Sequence, residues 1–163
     1  METSIEFSIL FNPTNEHLSQ VDAWLTAEFK QTGEGYKHNW GIILKANERN
    51  CMAVLLEKNI AVGFAIWYEF EFQIRLDIFC IEMKRRREGL GNLFLEILLK
   101  EFVCKKKFAV ELQCAPANSE RYWRKHGFTD LSYQTSLGVG QNRWLYRSIV
   151  ASAPFSPLQN LVC

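Results

Sequence analysis

One six-residue stretch constrains this chain more than any other: Arg86-Arg87-Glu88-Gly89-Leu90-Gly91. It follows an apolar run, Ile74 to Ile81, that reads as a strand. It opens a run, Asn92 to Phe102, with helical spacing. A strand, a basic glycine turn and a helix start in that order make a cradle for phosphate. Glycine lacks a Cβ, so the backbone can approach a bulky anion and take φ values closed to other residues. The first N–H groups of the helix have no intrahelical acceptor and sit at the positive end of its dipole. Charge-assisted bonds from the Arg86 and Arg87 side chains would add to this. The implied ligand carries a pyrophosphate. The turn is not a dinucleotide fingerprint, because Leu93 and Phe94 occupy the region of its third glycine, and it lacks the Gly-Lys-Ser/Thr ending of a nucleoside-triphosphate loop. The plainer alternative is a structural strand-to-helix turn beside a solvated charge run, Lys84 to Arg87.

A length of 163 residues predicts one domain over residues 1–150, with 151–163 as a C-terminal extension containing Pro154 and Pro157. A net charge of +1 argues against a general nucleic-acid binder, and the basic residues form only local clusters, Lys84 to Arg87 and Lys105 to Lys107. The start, Met1-Glu2-Thr3-Ser4, lacks the basic and apolar regions of a secretory signal, and no run is apolar enough for a membrane helix. The five cysteines, Cys51, Cys80, Cys104, Cys114 and Cys163, are irregularly spaced, with no Cys-x-x-Cys pair, and the three histidines are scattered. These patterns predict no metal site and a reduced, cytoplasmic protein.

Alternation in Ser4 to Phe11 predicts a strand, and Leu18, Val21, Trp24, Leu25 and Phe29 predict an amphipathic helix over residues 15–31. The run Trp40 to Leu44 is compatible with a short strand or an aromatic loop. Cys51 to Leu56 and Ile60 to Phe70 read as a hairpin about Glu57-Lys58-Asn59, and a turn near Glu71 to Gln73 leads into the strand ending at about Glu82. Leu93, Ile97, Leu98 and Phe102 mark one face of the next helix. Phe108 to Cys114 follows as a strand. Ala115-Pro116 starts a short helix that ends at Gly127, and Leu131 to Val150 reads as two strands joined by Gly138-Val139-Gly140. The order is β-α-β-β-β-α-β-α-β-β. It predicts an α/β fold: a mixed, mostly antiparallel sheet flanked by helices, with one parallel strand pair across a right-handed crossover.

This order, with this turn, resembles the GCN5-related N-acetyltransferase (GNAT) family. The family's Arg/Gln-x-x-Gly-x-Gly/Ala signature reads as Arg86 to Gly91, and its aromatic-aromatic-x-Lys-x-Gly-Phe signature reads as Tyr122-Trp123-Arg124-Lys125-His126-Gly127-Phe128. The resemblance covers residues 5 to 150 by element order and 74 to 128 by residue. It implies acetyl-CoA as co-substrate and acetyl transfer to a primary amine on a small molecule or peptide. It implies that the parallel pair is splayed. Phe79, Cys80 and Ile81 would then present main-chain groups to pantetheine. Arg86, Arg87, Glu88, Gly89, Leu90 and Gly91 would hold the pyrophosphate. Family members are often dimers, so a homodimer is a further expectation.

Direct attack by an amine needs a base for the ammonium proton, polarisation of the thioester carbonyl and a proton for the leaving thiolate. Asp77 is the first candidate base, sharing a strand face with Arg75, Phe79 and Ile81; an ion pair with Arg75 or with a neighbouring strand is the alternative. Where the family often has a catalytic tyrosine, four residues before the glycine of Gly-Phe, this chain has Trp123, which leaves the neighbouring Tyr122 as candidate acid or core aromatic. The family's asparagine near the start of that helix is displaced: Pro116 holds its place and Asn118, a candidate cofactor contact, lies two residues later. Tyr36, His38, Trp40, Trp67, Tyr68, Glu69 and Phe70 are candidates for an amine pocket. The departure at Trp123 motivates one alternative, a catalytically degenerate CoA-binding sensor or interaction protein.

Overall fold

The computed structural model describes residues 7–131 and 143–150. Among the described residues, seven strands form a sheet in the order β1-β2-β3-β4-β5-β7-β6. It is mixed and mostly antiparallel, with β4 and β5 as the parallel pair and four α-helices flanking it. This is the α/β class that the element order predicts. The chain divides into two compact units, Met1–Tyr68 with Leu76–Leu98, and Glu69–Arg75 with Leu99–Cys163.

In the first unit, β1 (Phe7–Phe11) precedes α1 (Asn15–Thr32), whose buried stripe is His17, Leu18, Val21, Leu25 and Glu28. His17 is hydrogen-bonded with Thr14 Oγ1 at 2.9 Å and Asn59 Oδ1 at 3.3 Å, so this buried histidine is held as a structural tie. The helix stops at Gly33, whose φ of 72° suits a left-handed cap. A short 3₁₀ turn, Lys37–Asn39, leads into α2 (Trp40–Glu48). This corrects the strand or loop expected for residues 40–44. Ile43 and Ala46 are buried and Trp40 and Leu44 pack beside them, a three-to-four spacing that a helix alone satisfies.

The hairpin β2 (Met52–Glu57) and β3 (Ile60–Glu69) turns through Lys58 and Asn59, both with positive φ, as a two-residue turn matched to strand twist requires. A register shift lies between Leu55, opposite Gly63, and Leu56, opposite Ala61. On β4 (Gln73–Ile81), Ile78 and Cys80 join the core of α1, α2, β2 and β3. Helix α3 is Leu90–Cys104, two residues longer at each end than expected. Its buried positions are Leu90, Phe94, Leu95, Leu98, Leu99 and Phe102, so the buried face is rotated from the one expected, and Leu93 and Ile97 are only half-buried.

The second unit holds β5 (Ala109–Gln113), α4 (Glu120–Lys125), β6 (Thr129–Asp130) and β7 (Trp144–Ser148). β7 pairs antiparallel with both β5 and β6. Pro116 is extended rather than helical, and the 3₁₀ turn Ala117–Ser119 follows it, so α4 starts later than expected. The first strand of the final pair is Thr129–Asp130, earlier than the span read from sequence. The Gly138-Val139-Gly140 junction and the 151–163 extension lie outside the described residues. Buried charges in this unit are paired: Lys107 Nζ donates to the carbonyls of Phe70 (2.7 Å) and Glu71 (3.2 Å) and pairs with Glu69, and Arg75 Nε pairs with Glu111 at 2.6 Å.

Candidate active site

The glycine turn lies in the first unit. β4 ends at Ile81, and the Glu82 N–H bonds the Val62 carbonyl at 2.9 Å. A 3₁₀ turn over Met83–Arg85, missed in the sequence, carries the chain sideways before the cradle begins. Arg86 is extended, and Arg87 and Gly89 then take φ of 71° and 82°. Alternating backbone handedness of this kind turns successive N–H groups toward one side and makes a concave anion site. Arg87, Glu88 and Gly89 are exposed, and α3 starts at once with Leu90. A Cβ built on Gly89 would meet nothing within 4 Å, so the space in front of the turn is open.

The arginine side chains are arranged differently from the expectation. Arg85 forks onto Glu57, Nη1 to Oε2 at 2.5 Å and Nη2 to Oε1 at 3.0 Å, and its Nε reaches both Glu88 oxygens. That fork holds the Glu57 carboxyl below its usual range. The guanidinium of Arg86 donates from Nη2 to Glu28 Oε1 and Oε2 at 2.8 and 2.9 Å and from Nε to the Ile81 carbonyl at 2.9 Å. The Arg86 N–H is used as well, toward the Met83 carbonyl at 3.4 Å. The Arg86 side chain therefore ties the end of β4 to Glu28 on α1. Glu28 was missed, although the sequence carried its signal: a carboxylate placed on the apolar stripe of a helix.

On β4, Asp77 is exposed, and Phe79 stacks on Phe94 with ring centroids 5.2 Å apart. The Phe79 ring is thus engaged by α3. Cys80 points into the opposite core, where burial pushes its thiol up to about 12. Arg75, the alternative partner for Asp77, pairs with Glu111 and lies over the Phe70 and Trp144 rings. Tyr36 packs against the first unit's core, and burial pushes its phenol up to about 12; the charges of Cys80, Glu28 and Asp77 raise it further and Arg86 opposes them.

The second unit holds Tyr122 and Asn118. Tyr122 meets Trp123 edge-on at 4.9 Å and His126 at 4.6 Å, and burial alone raises its phenol above the ordinary tyrosine value. Trp123 is buried and edge-on to buried Phe128, so the second signature supplies core. Gly127 has φ of 80°, and Arg147 Nη1 donates to the adjacent His126 carbonyl at 2.8 Å. Asn118 lines an open depression with Ala117, Glu120, Arg121 and Arg124. The two candidate catalytic side chains, Asp77 and Tyr122, fall in different units.

Residues 15–136 match the family model described as an acetyltransferase (GNAT) domain. The chain belongs to the GNAT acetyltransferase family. The matched span runs from the start of α1 past β6 and contains both GNAT signatures. Among solved structures, the PaiA N-acetyltransferase of Thermoplasma acidophilum in complex with coenzyme A aligns with TM-score 0.69 and 13% identity over 88% of this chain and 99% of that one. A GNAT-family acetyltransferase from Staphylococcus aureus aligns with TM-score 0.69 and 11% identity over 88% and 99%. N-acetylglutamate synthase from Neisseria gonorrhoeae, complexed with coenzyme A and N-acetyl-glutamate, aligns with TM-score 0.66 and 10% identity over 90% of this chain and 36% of that one. At such identities the likeness is one of fold. A search of curated proteins finds no match to this sequence. Among the described residues of this GNAT chain, no helix is long and apolar enough to cross a membrane, and no group of three His, Cys, Asp or Glu side chains is placed to hold a metal ion.

Proposed function

We propose that this GNAT chain transfers the acetyl group of acetyl-CoA to a primary amine, with residues 1–150 as the acyltransferase domain. The observation that carries the reading is the open turn with Arg87 and Gly89 at positive φ, set directly before α3. The structures of coenzyme A complexes with the same fold support it. In this reading the amides from Arg87 to Gly91 take the pyrophosphate, and backbone at Phe79, Cys80 and Ile81 takes the pantetheine arm. Arg86 and Glu88 act through the ion pairs that shape the turn, and Asn118 contributes from the 3₁₀ turn before α4.

The reaction forms one N–C bond and breaks one C–S bond. Asp77 accepts a proton from the acceptor's ammonium group, which frees the lone pair for attack on the thioester carbonyl, and main-chain N–H stabilises the oxyanion. The C–S bond then breaks and the thiolate takes a proton. Tyr122 is protonated at neutral pH, because its raised phenol pKa lies well above that range, so the donor form is the one present. The same raised pKa makes it a weak acid, and a thiolate of ordinary pKa near 8.5 leaves without needing a strong one.

The test is a thermal shift with acetyl-CoA, with NAD and ATP as controls. At about 100 times its dissociation constant a ligand adds about 2.7 kcal/mol, which raises Tm by about 5 °C or more for a chain of this size. A shift with acetyl-CoA followed by thiol release with an amine panel is the expected result. No shift with acetyl-CoA, or a shift with NAD or ATP alone, refutes the reading. Binding without thiol release from any amine favours the degenerate, CoA-sensing alternative.

A further inference from the structure

Glu28 is the only carboxylate on the buried stripe of α1. Taking an ionised carboxylate out of water costs several kcal/mol unless partners replace the lost hydration. Here one guanidinium replaces it, since Arg86 Nη2 reaches both Glu28 oxygens, and the same guanidinium grips the last carbonyl of β4 through Nε. The other side of the carboxylate is closed by the loop after α1. Gly35 has φ of 98°, and a Cβ there would sit 3.3 Å from Glu28 Cδ and 3.6 Å from Oε1. Glycine is needed for both reasons. Tyr36 follows directly and lies within electrostatic reach of Cys80, Arg86, Glu28 and Asp77. One buried carboxylate therefore touches the element that starts the cradle and the loop that carries Tyr36.

We propose that Glu28 is a positioning residue that locks the Arg86 turn to the Gly35–Tyr36 loop, so that filling the turn with a pyrophosphate orders that loop. The proposal rests on the acetyl-CoA reading above and extends it from the cofactor to the side of the site where Tyr36 stands. An anion settling on the amides after Arg86 pulls on a guanidinium whose other end is fixed in Glu28. The Glu28 carboxylate in turn packs against Gly35. A ligand reaching only the turn is then reported in a segment about fifty residues earlier in the chain, as a contiguous packed chain of this kind allows.

Hydrogen exchange on the full chain, with and without coenzyme A, reads this directly. In the wild type, coenzyme A should slow exchange in residues 86–92 and also in 33–39. Glu28→Gln keeps the size of the side chain and one acceptor oxygen but removes the charge. It should bind coenzyme A about tenfold more weakly, or about 1.4 kcal/mol. Coenzyme A at saturation should still protect 86–92 but no longer slow exchange in 33–39. Glu28→Asp and Arg86→Lys provide the same comparison should Glu28→Gln not fold. An unchanged response in 33–39, with or without a lower Tm, overturns the proposal and leaves the acetyl-CoA reading standing. No protection of 86–92 in the wild type overturns both.

Discussion

Gly89→Ala separates the cost of a strained backbone from the cost of blocking a ligand. At φ of 82° the new side chain sits in the left-handed region, which costs about 1 kcal/mol in an L-residue. There is no steric surcharge, because the added Cβ meets nothing within 4 Å. For a chain of this length, 1 kcal/mol lowers Tm by about 2–4 °C, so the variant folds. Gly127→Ala is a matched control: its φ is 80°, a Cβ there meets only ordinary contacts no nearer than 3.6 Å, and it follows α4 in the second unit. The two variants should therefore lose similar stability. They should differ in coenzyme A affinity measured by titration calorimetry. In the proposed reading Gly89→Ala adds a methyl group to the open space meant for the pyrophosphate, and a loss of at least about tenfold, about 1.4 kcal/mol, is expected. Gly127→Ala should match the wild type. Equal affinities for the two variants would refute the cradle argument, because strain would then be the only thing the substitution at residue 89 had changed.

Gly63→Ala should be among the more damaging small substitutions, since its Cβ would lie 2.7 Å from Ile81 Cδ1 and 3.1 Å from the Cys80 carbonyl. The Ile81 methyl can yield but the carbonyl cannot, and a loss of about 1–3 kcal/mol by chemical denaturation is expected. Thiol labelling of the native protein at pH 8 should modify Cys104 and spare Cys80 and Cys114, which burial pushes up to about 12 and about 11; rapid labelling of Cys80 without unfolding would contradict the packing around β4. Glu57 has a folded pKa held below its unfolded value by the Arg85 hydrogen bonds. Its contribution to stability is therefore full above the unfolded value, near 4.3, and is lost as pH falls through the folded one. The Tm difference between wild type and Glu57→Gln should shrink on acidification over that window, and a constant difference would show that the ion pair does not carry it.

Much of this molecule is written in short-range pattern. The stripe of α1, the Lys58-Asn59 hairpin and the Arg86 to Gly91 turn were readable because each is set by residues a few positions apart. Helix α2 was not, because its Asn39 cap makes no side-chain bond and its nine residues mix aromatic and β-branched types. Two-residue β6 is defined by its pairing with Tyr146 and Leu145, which no local window contains. At the site, the spacing of the glycines was legible while the duty of the arginines was not. Arg86 reads as a phosphate ligand from its neighbours, and its ion pair with a partner 58 positions earlier lies beyond any local window. Trp123 likewise reads as a departure from a catalytic pattern, and its packing on Phe128 shows it to be a core position.

The way Lys107 is buried has a consequence for how the chain is made. The tip between β3 and β4 closes on a side chain that lies 37 residues further along: the Phe70 carbonyl accepts from Lys107 Nζ, and the Phe72 carbonyl accepts from the Phe108 N–H. A ribosome delivers the tip well before those partners. Until residues 107 and 108 have emerged, the Phe70, Glu71 and Phe72 carbonyls lack these donors. The tip between β3 and β4 is therefore completed only after the whole of α3 has been synthesised.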